Sequence, residues 1–310
     1  MRTIFSFFLS TLFLFSLQLW SQTPSENDHF QKFNHFEKNS ITIPKNTTTP
    51  INKRDRDVPW FVERFKIAAG LFQANSNTSI QVGTNNGVIG TEIDFEDDLG
   101  FSSKASTFIG NFQWRASSRS RFDLTYYNIR RKSEYTLEKD IDFGENTYNI
   151  NTSINAFFNT QIYRFSYGYA IMSKPKYEIG FLFGTHIIGG NVGIGLTTAN
   201  NELDAEEDLG FTAPLPDFGI WGGVSLSKRF AINGEFDYLA LEIDNIRGRI
   251  LAYNFGLTFR AVKQLDLTAT FTGMHFRVDA ERRNLNGHFV WSYNGPALLA
   301  TFSFGNKNWH

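Results

Sequence analysis

The chain has 310 residues, a formal net charge of −1 from 30 basic and 31 acidic residues, and no cysteine. That balance argues against a nucleic-acid partner, which calls for a basic surface. The missing cysteines exclude a disulfide framework, a lipid-attachment cysteine and His/Cys metal sites. Aromatic residues make up 16%, with Phe occurring 33 times, yet the mean hydropathy is only −0.28. So many rings in a chain that is not apolar overall suit strands with one greasy and one wet face.

Met1–Ser21 reads as a secretory signal peptide, with Arg2 as its positive start, Ile4–Trp20 as its apolar core and cleavage after Ser21. The competing reading, a membrane anchor, needs a longer core, and Gln18 interrupts this one. No later stretch approaches the roughly 20 apolar residues of a membrane helix. Gln22–Val58, dominated by Lys, Asn, Thr and Pro, cannot bury enough apolar surface to offset its ordering entropy. It is expected to be a flexible polar tail, and Trp60 and Phe61 just after it suit a membrane interface.

Ten alternating stretches follow, near Arg64–Ala74, Ser103–Arg115, Arg121–Tyr135, Ile150–Ile171, Tyr177–Leu196, Phe218–Ser227, Ala231–Ile243, Gly248–Arg260, Leu265–Asp279 and His288–Phe304. In the second, Phe108, Phe112 and Trp114 alternate with Thr107, Asn111 and Gln113; in the eighth, Leu251, Tyr253, Phe255 and Leu257 alternate with Ala252, Asn254, Gly256 and Thr258. Residues two apart share a face, so one face is apolar and the other polar.

The connections sort by length. Tight ones fall at Ala116–Ser120, Ser173–Lys176, Ser227–Phe230 and Ala261–Gln264. Long ones fall at Asn75–Ser102, Thr136–Tyr148, Thr197–Asp217, Asp244–Arg247 and Ala280–Gly287. Short turns at one end and long loops at the other predict an all-β fold, a transmembrane antiparallel up-and-down β-barrel over residues 59–304 with a short tail at 305–310. The strand count is about 10, or 8 if the seventh and eighth stretches merge. An even count puts both termini at the short-turn end, the periplasmic side of such barrels, and strand excess should project beyond the outer face.

Gly90-Thr91-Glu92-Ile93-Asp94-Phe95-Glu96-Asp97-Asp98-Leu99-Gly100-Phe101 resembles the signature of a widespread, poorly characterised family of Gram-negative outer-membrane β-barrels. Arg121–Tyr127, Tyr163–Tyr169 and Tyr293–Leu299 leading into Thr301–Phe304 are similar to that family's strands. The resemblance covers about Phe65–Phe304. It implies a fold and an outer-membrane location, and no activity. Many outer-membrane barrels end on an aromatic residue read by the assembly machinery. Here Phe304 is followed by Gly305–His310, so either the signal is internal or the last strand runs further.

Two sets of residues stand out. The acidic run Asp94, Glu96, Asp97 and Asp98 has an echo in Asp204, Glu206, Glu207 and Asp208, both running into Leu-Gly-Phe and both expected in outer loops. Clustered carboxylates attract hard cations such as calcium, so the two loops form a weak candidate for a shared divalent ion. The spacing matches no calcium loop, and a solvated loop that packs Leu99 and Phe101 over the barrel mouth is the simpler reading. Second, with the polar face inward, Asp123, Arg164, Glu178, Glu235, Asp237, Arg260 and Asp266 meet in the lumen. Buried charges must be paired, so they are expected to form ion pairs that plug the half near the short turns; a charged permeation path is the alternative.

An outer-membrane hydrolase is a remote third reading. His275 has Arg277 rather than Ser two residues on, and His186 precedes Ile187 and Ile188. Asp97, Asp98, Asp208 and His288 could meet at the rim, but nothing in their spacing requires it. The expectation is therefore a structural or interaction barrel with no enzyme activity and no cofactor, or alternatively a narrow pore. Its surroundings would be outer-membrane lipid, lipopolysaccharide and the barrel assembly machinery. Oligomeric state is not encoded in any pattern found.

Overall fold

The computed structural model describes residues 58–82, 92–143, 146–197, 203–243, 246–282 and 285–307. The expected signal peptide, most of the polar tail and residues 308–310 lie outside the described residues. In chain order the strands are β1 (Phe65–Val82), β2 (Glu92–Asp94), β3 (Lys104–Arg115), β4 (Ser120–Thr136), β5 (Ile141–Phe143), β6 (Asn146–Tyr148), β7 (Ser153–Lys174), β8 (Tyr177–Thr197), β9 (Leu203–Ser225), β10 (Phe230–Ile243), β11 (Ile246–Val262), β12 (Leu265–Arg282) and β13 (Leu285–Phe304). The ten long strands pair antiparallel with their neighbours, and β13 closes on β1 from Phe65↔Phe304 to Val82↔Gly287. Closure satisfies the backbone all round, the condition for strands to cross lipid. β10 and β11 are separate strands, so the barrel has ten staves and not eight.

Residues 116–119, 175–176, 226–229 and 263–264 make the tight turns. At the other end the wall is taller and the loops shorter than the sequence suggests. Thr197–Asp217 is not a loop: β9 starts at Leu203 and pairs with β8 up to Thr197↔Leu203. Likewise β12 and β13 zip to Arg282↔Leu285. Pro214 and Pro216 signal a loop, yet they are tolerated because the β9–β10 ladder ends at Phe218↔Tyr238, leaving that part of β9 with one partner. Two excursions remain. One carries β2, and the other carries the β5–β6 hairpin.

Side-chain polarity inverts along the barrel axis. Toward the short turns, Ile67, Leu71, Phe108, Phe112, Phe165, Phe181, Phe218, Phe255 and Leu298 point outward, 40–70% exposed. Leaving such side chains in water would forgo roughly 2 kcal/mol each, so this belt calls for an apolar solvent, and the fold is a transmembrane barrel. Beyond the belt the outer face turns polar, with Gln73, Asn75 and Asn77 on β1 and Arg130, Lys132 and Glu134 on β4 exposed. The interior there is apolar: Phe72, Phe95, Leu99, Phe158, Phe276 and Trp291 form one buried cluster. The polar interior therefore lies mainly in the half near the short turns.

Candidate functional site

The lumen holds three layers, each built by strand parity. The first closes the short-turn end. Pro59–Val62 forms a turn (Val62 N–H to Pro59 O, 3.1 Å) ahead of β1. Phe61 and Val62 are buried against Ala231. Trp60 donates its indole N–H to Ser227 O at 2.8 Å. This corrects the expectation that Phe61 faces a membrane interface. It turns inward because Gly223 leaves room: a Cβ there would stand 2.8 Å from the Phe61 ring. The Arg260 guanidinium lies 4.3 Å over the Trp60 ring and bonds Asp266 (2.9 Å) and Glu63 (3.2 Å). Lys307, just past β13, reaches the same Glu63 at 3.2 Å. The last strand ends at Phe304, which stacks on Phe65 at 5.2 Å.

The second layer is a charged chamber. Arg115 forks onto Glu178 (2.8 and 3.0 Å). Arg121 bridges Asp123 (3.1 Å) and Glu235 (2.9 Å), and Arg164 bridges Glu235 (2.5 Å) and Asp237 (2.8 Å). Gln113 donates to Asp123 at 2.6 Å, and His186 Nδ1 meets Asp217 at 2.8 Å. Arg121 also stacks on Trp221 at 3.8 Å. All seven residues assigned to the lumen from sequence thus sit in ion pairs, in two groups around Arg164 and Arg260 plus the Arg115–Glu178 fork. Sequence reasoning missed Arg115, Arg121, Glu63 and the His186–Asp217 pair. Parity could have found Arg121 and Arg115, which are two residues from Asp123 and Gln113 and share their faces. Arg121, Asp123, Arg164, Glu178, Glu235 and Asp237 border a cavity of about 280 Å³, whose lining includes Lys66 and a wall of Thr258, Thr268, Thr270, Thr272 and Asn254. Buried Asp237 Oδ1, Asp217 Oδ1 and Trp221 Nε1 have no protein partner. Such atoms call for ordered water, so the chamber is wet.

The third layer roofs it. Phe72, Tyr127 and Tyr293 meet edge to face, and the two tyrosine hydroxyls are hydrogen-bonded. Above them the acidic motif folds inward. Phe95 and Leu99 are fully buried, and Phe95 contacts Phe158 at 5.4 Å. The carboxylates shape this turn. Asp94 Oδ1 accepts the N–H groups of Glu96 (3.0 Å) and Asp97 (2.9 Å), and Asp98 Oδ2 accepts that of Asp94 (2.9 Å). Glu96 accepts Thr78 N–H at 2.8 Å and pairs with buried Arg131, while Lys139 reaches Asp98 at 2.8 Å. Asp94, Glu96 and Asp98 therefore have backbone donors and cations as partners. Asp204, Glu206, Glu207 and Asp208 fall on β9 rather than in a loop; their side chains lie outside the described residues. Among the described residues no three His or carboxylate groups converge on a common metal position. At the rim, His288 meets Glu92 at 3.2 Å, away from Asp97 and Asp98.

No protein-family model and no curated protein matches the chain. Among solved structures, the outer membrane protease OmpT from Escherichia coli is similar over 77% of this chain and 96% of its own, at 9% identity and a TM-score of 0.50. The outer membrane protein OprG from Pseudomonas aeruginosa matches over 81% of this chain and 99% of its own, at 8% identity and a TM-score of 0.31. The toluene transporter TodX of P. putida matches over 79% and 91%, at 8% identity and 0.33. At these identities the likeness to OmpT speaks for the shared barrel fold alone.

Proposed function

We propose that this chain is an outer-membrane β-barrel with a closed, charged lumen, serving as a structural or interaction protein that presents its tall outer wall and two excursions to the exterior. The short turns and both ends of the barrel domain then face the periplasm. The observation that carries this reading is the double closure. Phe61 and Val62 fill one end, the Phe95–Leu99–Trp291 cluster fills the other, and five arginine–carboxylate contacts cross the space between. No catalytic role is assigned. The His186–Asp217 pair, 2% and 0% exposed, is enclosed in the wall, out of reach of a macromolecular substrate.

The wet chamber supports a second reading, a gated conduit with two stoppers. Planar-bilayer recording of the purified protein separates the two. The closed barrel gives no steady ohmic current; a steady ohmic current in the unmodified protein rejects closure. A variant combining Phe61→Gly and Val62→Gly with Leu99→Gly and Phe101→Gly should conduct, and a silent but folded variant would mean that the ion-pair layer alone seals the barrel.

A further inference from the structure

Above the belt, the outer wall of β11 and β12 carries charge in rows set by register. One row is balanced: Glu242↔Arg247 and Arg247↔Asp279 alternate in sign. In the row beneath it, toward the belt, β11 and β12 contribute cations only. Ala240 stands opposite Arg249, Arg249 opposite Arg277, and Arg277 opposite Val290. Directly opposed side chains start about 5 Å apart, and like charges so placed repel. Arg249 is exposed and has no ion-pair partner among the described residues. Arg277 binds Asp279 through Nε and Nη2 (2.8–3.0 Å), which fixes its guanidinium and leaves Nη1 outside that pair. A third nitrogen group, His275, lies one step closer to the belt beside Leu251.

Height on the wall identifies what answers this charge. Below Arg249 come Leu251, Tyr253 and Phe255; Tyr253 contacts Phe255 (6.3 Å) and Phe271 (6.4 Å). Tyr238, opposite Leu251, is 45% exposed. Outward-facing tyrosines at the top of an apolar belt mark the headgroup level. The arginine row stands one or two residue pairs higher, about 7 Å per pair, where lipid phosphates lie. The backbone gives the same level independently: the β9–β10 ladder is complete up to Phe218↔Tyr238 and open beyond, as it must be if hydrocarbon ends there.

We propose that Arg249 and Arg277, with His275, form a binding site for the phosphate of a membrane lipid at the interface opposite the short turns. The Arg249 fork and the remaining Nη1 of Arg277 suit a phosphate in two-point contact, and the bound anion offsets their mutual repulsion. Asp279 and Glu242, one row further out, lie on the aqueous side of that phosphate. The site depends on the transmembrane fold and is indifferent to whether the lumen conducts.

The test is native mass spectrometry of the detergent-solubilised full chain titrated with short-chain phosphatidic acid or phosphatidylcholine. The unmodified protein should retain phosphatidic acid in preference to the zwitterionic lipid. Arg249→Gln and Arg277→Gln should each weaken that retention about fivefold, with Arg249→Lys intermediate and Arg130→Gln, on the opposite wall, unchanged. Equal retention of the two lipids, or an unaltered double variant, overturns the site. Displacement by millimolar inorganic phosphate overturns the lipid assignment in favour of a free-anion site. Should the double variant fail to fold, the comparison of lipids on the unmodified protein and on exposed Arg249→Gln still decides.

Discussion

The two halves of this barrel use the same strands and opposite chemistry. Near the short turns the wall is greasy outside and charged inside. Beyond Tyr127 and Tyr293 it is polar outside and filled with Phe, Leu and Trp. On β1 the change happens within two residues: Leu71 faces outward at 60% exposure, and Phe72 faces inward at 1%. The parity of β1 is constant across this change; what changes is which face carries the apolar residue. Solvent explains the difference, because the lower wall is built for lipid and the upper wall for water. The upper half is stabilised like a soluble barrel, by burying apolar area. The lower half gains little from burial against lipid and is held by the closed ladder and by paired charges in its lumen.

Breaking one half at a time should therefore give different failures. Arg164→Ala leaves Asp237 without a cation and Glu235 with Arg121 alone, and removing one partner of a buried pair costs about 3–5 kcal/mol. Urea unfolding in micelles should show that loss across the whole transition, since the barrel wall itself is affected. Leu99→Ala opens a cavity in the upper core, costing about 3 kcal/mol. Its loss should be local: proteolysis should reach the 92–101 segment while the gel mobility of the folded barrel persists. If Leu99→Ala unfolded the entire wall, the two halves would be one cooperative unit and the contrast would fail.

Strand number, ring closure and the greasy face were legible because Phe108, Phe112, Phe181 and Phe255 alternate strictly where lipid is the solvent. The outer extensions were harder. Around Asp204–Asp208 the alternation fades and Pro214 and Pro216 punctuate the chain, so β9 reads as a loop; its strand character comes from its partner β8, a tertiary effect invisible in its own residues. The charged lumen was legible in part, because the polar positions of each strand are visible one by one. Arg115 and Glu178 are 63 residues apart, and only the closed ring brings them together. The acidic motif misleads for a related reason. Its carboxylates look free in sequence, whereas Asp94 and Asp98 bind backbone N–H groups of their own turn and Glu96 meets Arg131 from a different strand.

A smaller effect compares two glycines on opposite faces. A Cβ on Gly219, on the lumen side, would come within 2.1 Å of Asp237 Oδ1 and 2.5 Å of Phe236 O, while one on Gly110, on the lipid side, meets nothing within 4 Å. Gly219→Ala should cost about 1–3 kcal/mol through overpacking and displace Asp237 from Arg164. Gly110→Ala should be near neutral in the same unfolding measurement. An equal cost at both positions would show that backbone freedom, and not the crowding of the charged layer, is what glycine supplies.

The smallest effect tests the wet rim. The Glu92 carboxyl is held below its usual range by the Ser79 hydroxyl (2.9 Å) and then by His288 (3.2 Å). A depressed folded value means that the contact stabilises the fold above the ordinary glutamate range, near pH 4.5, and that this contribution fades as pH falls through the lowered value. Because Glu92 is 59% exposed, solvent screening limits it to about 0.3 kcal/mol. Melting curves of the unmodified protein and Glu92→Gln should differ slightly at pH 6 and converge at pH 3. A gap that widens toward pH 3 would reverse the sign and place Glu92 in a repulsive setting, joining it to Asp94 and Asp97 rather than to His288.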